Sequence, residues 1–227
     1  MKNLFLKLGL LPALILAATT FVSCGGNKPE LPDNSVISAR GVVAVRGNID
    51  EIVSVRAMAY DWAGDGWTNI AEATFQNNGF TLQLPTTLPD NLLNPVTGNF
   101  PDNVVVVTGN PNAKWISVEL VAVCENGNGT GSFRLVGGVD MENLTGTTAS
   151  WVYVDSNISV TADFQLGGSF SARTIINLNL RRGWNTIYVI ASSEDDIFVL
   201  TTTTQRPSGL FLWTYIPWDN DLPSVID

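Results

Sequence analysis

Ile158-Ser159-Val160-Thr161-Ala162-Asp163-Phe164 alternates apolar with polar residues, and Thr174, Ile176, Leu178 and Leu180 alternate with Ile175, Asn177 and Asn179 beyond a break at Gly167 to Ser169. A period of two sends successive side chains to opposite faces, which defines a strand with one side toward a core. Outward from this pair the pattern recurs at Phe80, Leu82 and Leu84, which alternate with Thr81 and Gln83. Turn clusters rich in Gly, Asn, Asp and Pro separate such runs at Asp61 to Gly66, Asn77 to Gly79, Asn126 to Gly131, Arg181 to Gly183 and Pro207 to Gly209. The reading is all-β: an antiparallel β-sandwich, immunoglobulin-like or related, with roughly ten strands. A β-barrel or two small sandwiches are the alternatives.

The spacing predicts strands near 36–45, 51–60, 67–75, 79–84, 104–108, 115–124, 132–139, 150–154, 157–164, 173–180, 184–192, 196–204 and 210–216. Residues 86–103 lack alternation and form either a long loop or a hinge between two domains. Asp90 to Leu93 can make one helical turn with Asp90 as its cap before Pro95 ends it. A unit of 36–85 would hold only four strands, so residues 36–227 are read as one domain.

The chain of 227 residues has 12 Lys and Arg against 21 Asp and Glu, a formal net charge of −9. Two of the basic residues, Lys2 and Lys7, belong to the leader, so the remainder is more acidic still. Such a surface lacks the cations that neutralise phosphates, which argues against nucleic acid and against direct binding to anionic lipid. The chain has no histidine. That removes Ser-His-Asp and Cys-His machinery, His-ligated zinc and an imidazole switch. No catalytic motif, metal set or cofactor motif is found, and the chain is not read as an enzyme.

Residues 1–23 have the parts of a secretory signal: Lys2 and Lys7, an apolar stretch from Leu8 to Val22 interrupted by Pro12, and small residues at Ala17 to Thr20. The stretch falls short of the roughly 20 residues that span a bilayer. Cys24 follows Phe21, Val22 and Ser23, and this arrangement resembles bacterial lipoproteins. Their usual lipobox has Leu where this chain has Phe21, a departure tolerated in lipoproteins of the Bacteroidota. The resemblance implies cleavage before Cys24, lipidation of its thiol with acyl chains such as palmitate, and attachment to the bacterial cell envelope at the outer membrane. Residues 24–35 then form a flexible tether reaching roughly 30 Å. With Cys24 lipidated, Cys124 has no disulfide partner. Cys124 falls in register with Ile116, Val118, Leu120 and Ala122, which predicts a buried, inert thiol.

On the last strand, Phe211, Trp213 and Tyr215 share one face and Trp218 follows the strand end. If that face is open, its rings are a candidate ligand platform of the kind that stacks on sugars. Burial of both faces is the common alternative for a strand so apolar. Asp65-Gly66-Trp67 and Arg182-Gly183-Trp184 also echo one another as Gly-Trp turns. A Trp after such a turn commonly plugs the end of a sandwich with its N–H bonded to a loop.

Asp61 with Asp65, Glu194 to Asp196, and Asp155 with Asn157 are acidic or amide clusters. They could hold Ca²⁺ or supply the carboxylate pair of a glycoside hydrolase, and their plainer role is to start turns. Asn128, Asn143 and Asn157 begin glycosylation sequons, read as chance in a bacterial chain. The stretch Arg181 to Tyr188 and the Thr tract at 201–204 resemble small uncharacterised all-β lipoproteins of the Bacteroidota. Arg40 and Arg46, each followed by Gly near the first strand, resemble the cleavage region of fimbrillins, whose first strand is exchanged between subunits. The functional expectation is a lipid-anchored module that binds a glycan or protein ligand, with a fimbrillin-like pilus subunit and a glycoside hydrolase as alternatives.

Overall fold

A computed structural model describes residues 34–45, 47–61, 66–96, 105–140, 145–166, 172–194 and 197–218. Among the described residues there are fifteen strands: β1 (Val36–Ala39), β2 (Val43–Ala44), β3 (Ile52–Asp61), β4 (Gly66–Thr74), β5 (Phe80–Gln83), β6 (Asn94–Pro95), β7 (Val105–Gly109), β8 (Lys114–Cys124), β9 (Gly129–Asp140), β10 (Thr145–Val154), β11 (Ile158–Leu166), β12 (Ala172–Leu180), β13 (Gly183–Glu194), β14 (Ile197–Thr203) and β15 (Phe211–Pro217). The protein is an all-β sandwich. Its runs sit where the period of two put them, with two differences. The first is broken into β1 and β2 at Gly41, whose φ of 63° bends the chain out of the strand. The stretch 86–103 contributes the short β6. Asp90–Leu92 makes a 3₁₀ turn, but Asp90 does not cap it; its carboxylate accepts from Lys114 Nζ at 2.6 Å instead.

Three long strands organise the larger sheet. β8 pairs with β10 from Trp115 to Val118 and with β9 from Leu120 to Val123, while β9 and β10 pair with each other beyond Leu135 and Ala149. Each strand therefore changes partner at one residue, and those residues are Glu119, Arg134 and Ser150. On the inner side this exchange is sealed by apolar groups, among them Val118, Leu120, Phe133 and Trp151. From it one arm runs β8–β3–β4 and another β9–β15–β2, and β1 pairs with β5 as a small second sheet. Ile37, Ala39, Phe80 and Leu82 of that sheet pack in one cluster with Ala57, Leu120, Phe133 and Trp213 of the larger one.

The third arm, β10–β13–β14–β12–β11–β7, curls so that β11 and β12, which are not neighbours of β10 in the sheet, share a core with it. Within β10, Trp151 and Tyr153 face the first core whereas Val152 and Val154 face a second one with Val160, Leu178 and Leu180. A strand apolar on both sides must be covered on both sides, and the curl supplies the second cover. Two pairings are parallel, β12 with β14 and β2 with β15, within an otherwise antiparallel arrangement.

The turn from β12 to β13 joins two strands that both contribute to the second core. Asn185, 7 % exposed, accepts from the Arg181 N–H at 3.0 Å and donates to the carbonyls of Arg181 and Gly183 at 2.7 and 2.9 Å. Asn157 Oδ1 accepts from the Arg182 N–H at 2.8 Å. A buried polar group left without its partner costs about 1–3 kcal/mol. Asn185→Ala is accordingly expected to lower stability by about that amount, read as a lower urea midpoint with an unchanged slope; an unchanged midpoint would show that the turn does not depend on this amide.

Candidate functional site

The aromatic face of β15 is core. Trp213 and Tyr215 are 9 % and 3 % exposed, because β1 and β5 lie over that side of the sheet. Trp213 stacks on Trp151 with centroids 5.6 Å apart, and its indole N–H donates to Ser38 of β1 at 3.1 Å. An orphaned N–H there would cost about 1–3 kcal/mol, so β1 both covers and satisfies the ring. Tyr215 donates to the Thr130 carbonyl, and Phe211 is half-buried beneath the guanidinium of Arg206. Of the expected platform, Trp213 and Tyr215 are thus core, and Phe211 is partly buried at its margin. Trp218 differs from them, being 48 % exposed.

The two Gly-Trp turns also part company. Trp184 is buried and donates to the Pro85 carbonyl at 2.7 Å, as a plug does. Trp67 is 55 % exposed. It sits at the start of β4 opposite Tyr60, whose ring meets it edge to face at 5.3 Å.

Trp67 and Trp218 flank a cleft of about 270 Å³ on the outer side of the β3–β8 pair. Its lining includes Met58, Val121 and Val123, with Arg56 and Glu119 among the polar members. Strand parity places these groups together. Met58 is paired with Glu119 and Arg56 with Val121, and the intervening Ala57 faces the core. Val121 and Val123 are buried although they point away from the first core. Gly129 explains the close fit: a Cβ at this position would lie 2.9 Å from both Val121 Cγ1 and Trp218 Cζ3. The absence of a side chain lets the indole settle against the sheet.

Arg56 is held from two sides. Its Nε donates to Glu72 Oε2 at 3.0 Å and its Nη1 to the Gly127 carbonyl at 3.2 Å. Ser54 donates to the other Glu72 oxygen at 2.6 Å. These bonds, from Ser54 first and Arg56 next, hold the Glu72 carboxyl below its ordinary value of 4.5. Both charged groups are partly exposed, so solvent screens the pair and its role is to fix the guanidinium.

The remaining sequence candidates fall elsewhere. Cys24, Arg46, Asp65, Asn143, Asp195 and Asp196 lie outside the described residues, as do the side chains of Asp61 and Glu194. Asp155 Oδ1 accepts from the Lys114 N–H and from Ser156 Oγ, so it organises a turn, as Asn157 does through Arg182. Cys124 is half-buried and not fully buried, because it ends β8; its thiol lies 3.7 Å from Thr130 Oγ1 as donor. Arg40 is exposed between β1 and β2.

Because Glu72 has a depressed pKa in the fold, its contribution is present above the ordinary carboxylate range and is lost as pH falls through the lowered value. The thermal midpoints of the wild type and Glu72→Gln should therefore converge on acidification, and a gap that widens toward low pH would contradict the assignment. Neither a protein-family model, nor a curated protein, nor a solved structure matches this chain.

Proposed function

We propose that the protein is a lipid-anchored binding module of the bacterial cell envelope whose ligand site is the Trp67–Trp218 cleft and whose ligand is a glycan. The observation that carries this reading is a pair of half-exposed tryptophans flanking an apolar cleft, with a fixed guanidinium and a carboxylate among its lining residues. Large aromatic surface is costly to leave in water, and a concave apolar site with a few polar groups is the usual form of a small-ligand site. Sugars match this chemistry. Their C–H faces stack on the electron-rich face of an indole, and their hydroxyls can accept from Arg56 or donate to Glu119. Arg56 is already ordered by Glu72 and Gly127, so little side-chain entropy remains to be lost on binding.

A glycan array probed with the purified protein tests the ligand class. Trp67→Ala and Trp218→Ala should each weaken the strongest signal by about tenfold or more, the ordinary size of an aromatic anchor's contribution. Trp184→Phe alters a core plug and serves as the control for indirect effects. Binding that survives loss of both exposed indoles would remove the cleft from consideration.

The anchoring half of the proposal rests on Cys24 and the leader before it. In a bacterial host, the wild type should incorporate labelled palmitate and sediment with membranes, and Cys24→Ser should do neither. Equal labelling of the two proteins would reject Cys24 as the attachment point.

A further inference from the structure

Resting on the glycan reading of the cleft, we propose that the site has two subsites and that its ligand is an oligosaccharide and not a single sugar. The second subsite is the place where β8, β9 and β10 exchange partners. A cavity of about 230 Å³ opens there, with Arg134, Thr148 and Ser150 among its lining residues. Glu119 lines this cavity and the tryptophan cleft alike.

The junction is polar for a topological reason. Glu119, Arg134 and Ser150 are the residues at which each strand leaves one neighbour for the next, and each alternates with core-facing groups on either side: Val118 and Leu120, Phe133 and Leu135, Ala149 and Trp151. All three side chains consequently emerge on the outer side. Arg134 and Glu119 stand 3.8 Å apart, and the arginine is about half exposed. A ligand hydroxyl could take part in hydrogen bonds with this pair without breaking a tight contact.

The two cavities complement each other. The tryptophan cleft offers ring faces and an aliphatic floor, while the junction offers donors and acceptors. Each is smaller than the roughly 300–1,000 Å³ of an ordinary small-molecule pocket, and together they come within that range. Val121 in the cleft and Glu119 at the junction are two residues apart on β8, a step of about 7 Å that a continuous ligand crosses along the sheet. A chain whose first ring stacks on the indoles thus places its next unit over Arg134, Thr148 and Ser150.

The test uses ladders of one to four units of cello-, malto-, xylo- and manno-oligosaccharides, titrated into the purified full-length protein. In a ladder that binds, affinity should rise about tenfold or more between one unit and two or three, in line with added hydrogen bonds to a charged group. Arg134→Ala and Thr148→Val should abolish that gain, Thr148→Val, which lies outside the tryptophan cleft, should leave the monosaccharide unaffected, and Trp67→Ala should weaken every length. Thermal midpoints verify that the variants are folded, and Thr148→Val preserves side-chain volume should Arg134→Ala disturb the sheet. Affinity independent of length, or a gain that survives both junction variants, overturns the two-subsite assignment and leaves the cleft standing. Failure of every ladder and of the glycan array overturns the glycan reading, and this inference with it.

Discussion

The fold depends on the double-sided burial of β10. Trp151 and Tyr153 are committed to one core and Val152 and Val154 to another, so the strand cannot sit at a solvent boundary. Burying each aliphatic side chain is favourable by about 1.5–3 kcal/mol, which sets a strong preference for cover on both sides. One cover comes from β1 and β5, and the other from β11 and β12 with Ile187 of β13. β10 is paired with β13 along its length, and on its other side it passes from β9 to β8 at Ser150. The junction lies on the outer side of that exchange.

Much of the strand pattern was legible because a period of two is written locally. Ile158 to Phe164 and Thr174 to Leu180 needed no tertiary information to be read as strands. Which face of a strand meets solvent is a different kind of fact. Phe211, Trp213 and Tyr215 alternate perfectly, yet whether they form a platform or a core depends on β1 and β5, well over a hundred residues away. Trp67 and Trp184 each follow a Gly in the sequence, and what makes the second a plug is remote from it, in the Pro85 carbonyl that its N–H reaches and the Tyr153 ring beside it. The cleft draws on residues from Arg56 to Trp218, so no single window contained it. A signal was present in Gly129, but its meaning rests on the indole packed against it.

The protein separates its proposed tasks along the chain. Cys24 and the tether precede the sandwich, whereas the cleft is made by strands from its body. An anchor of this kind demands only that the domain remain soluble beside the membrane, which the excess of acidic over basic residues favours.

β2 is the least conspicuous element, two residues paired in parallel with Thr214 and Tyr215. Under the proposed lipid anchoring it takes on a further role. Tethering confines copies to a plane and raises their local concentration, which is where an open strand edge is most hazardous. β2 occupies the middle of the β15 edge, where the Val45 N–H also donates to the Tyr215 carbonyl, and Gly41 at a φ of 63° turns the chain before it. So short a strand offers too few backbone groups to recruit a neighbour. At that edge, crowding would then give one copy no strand on which to pair with the next.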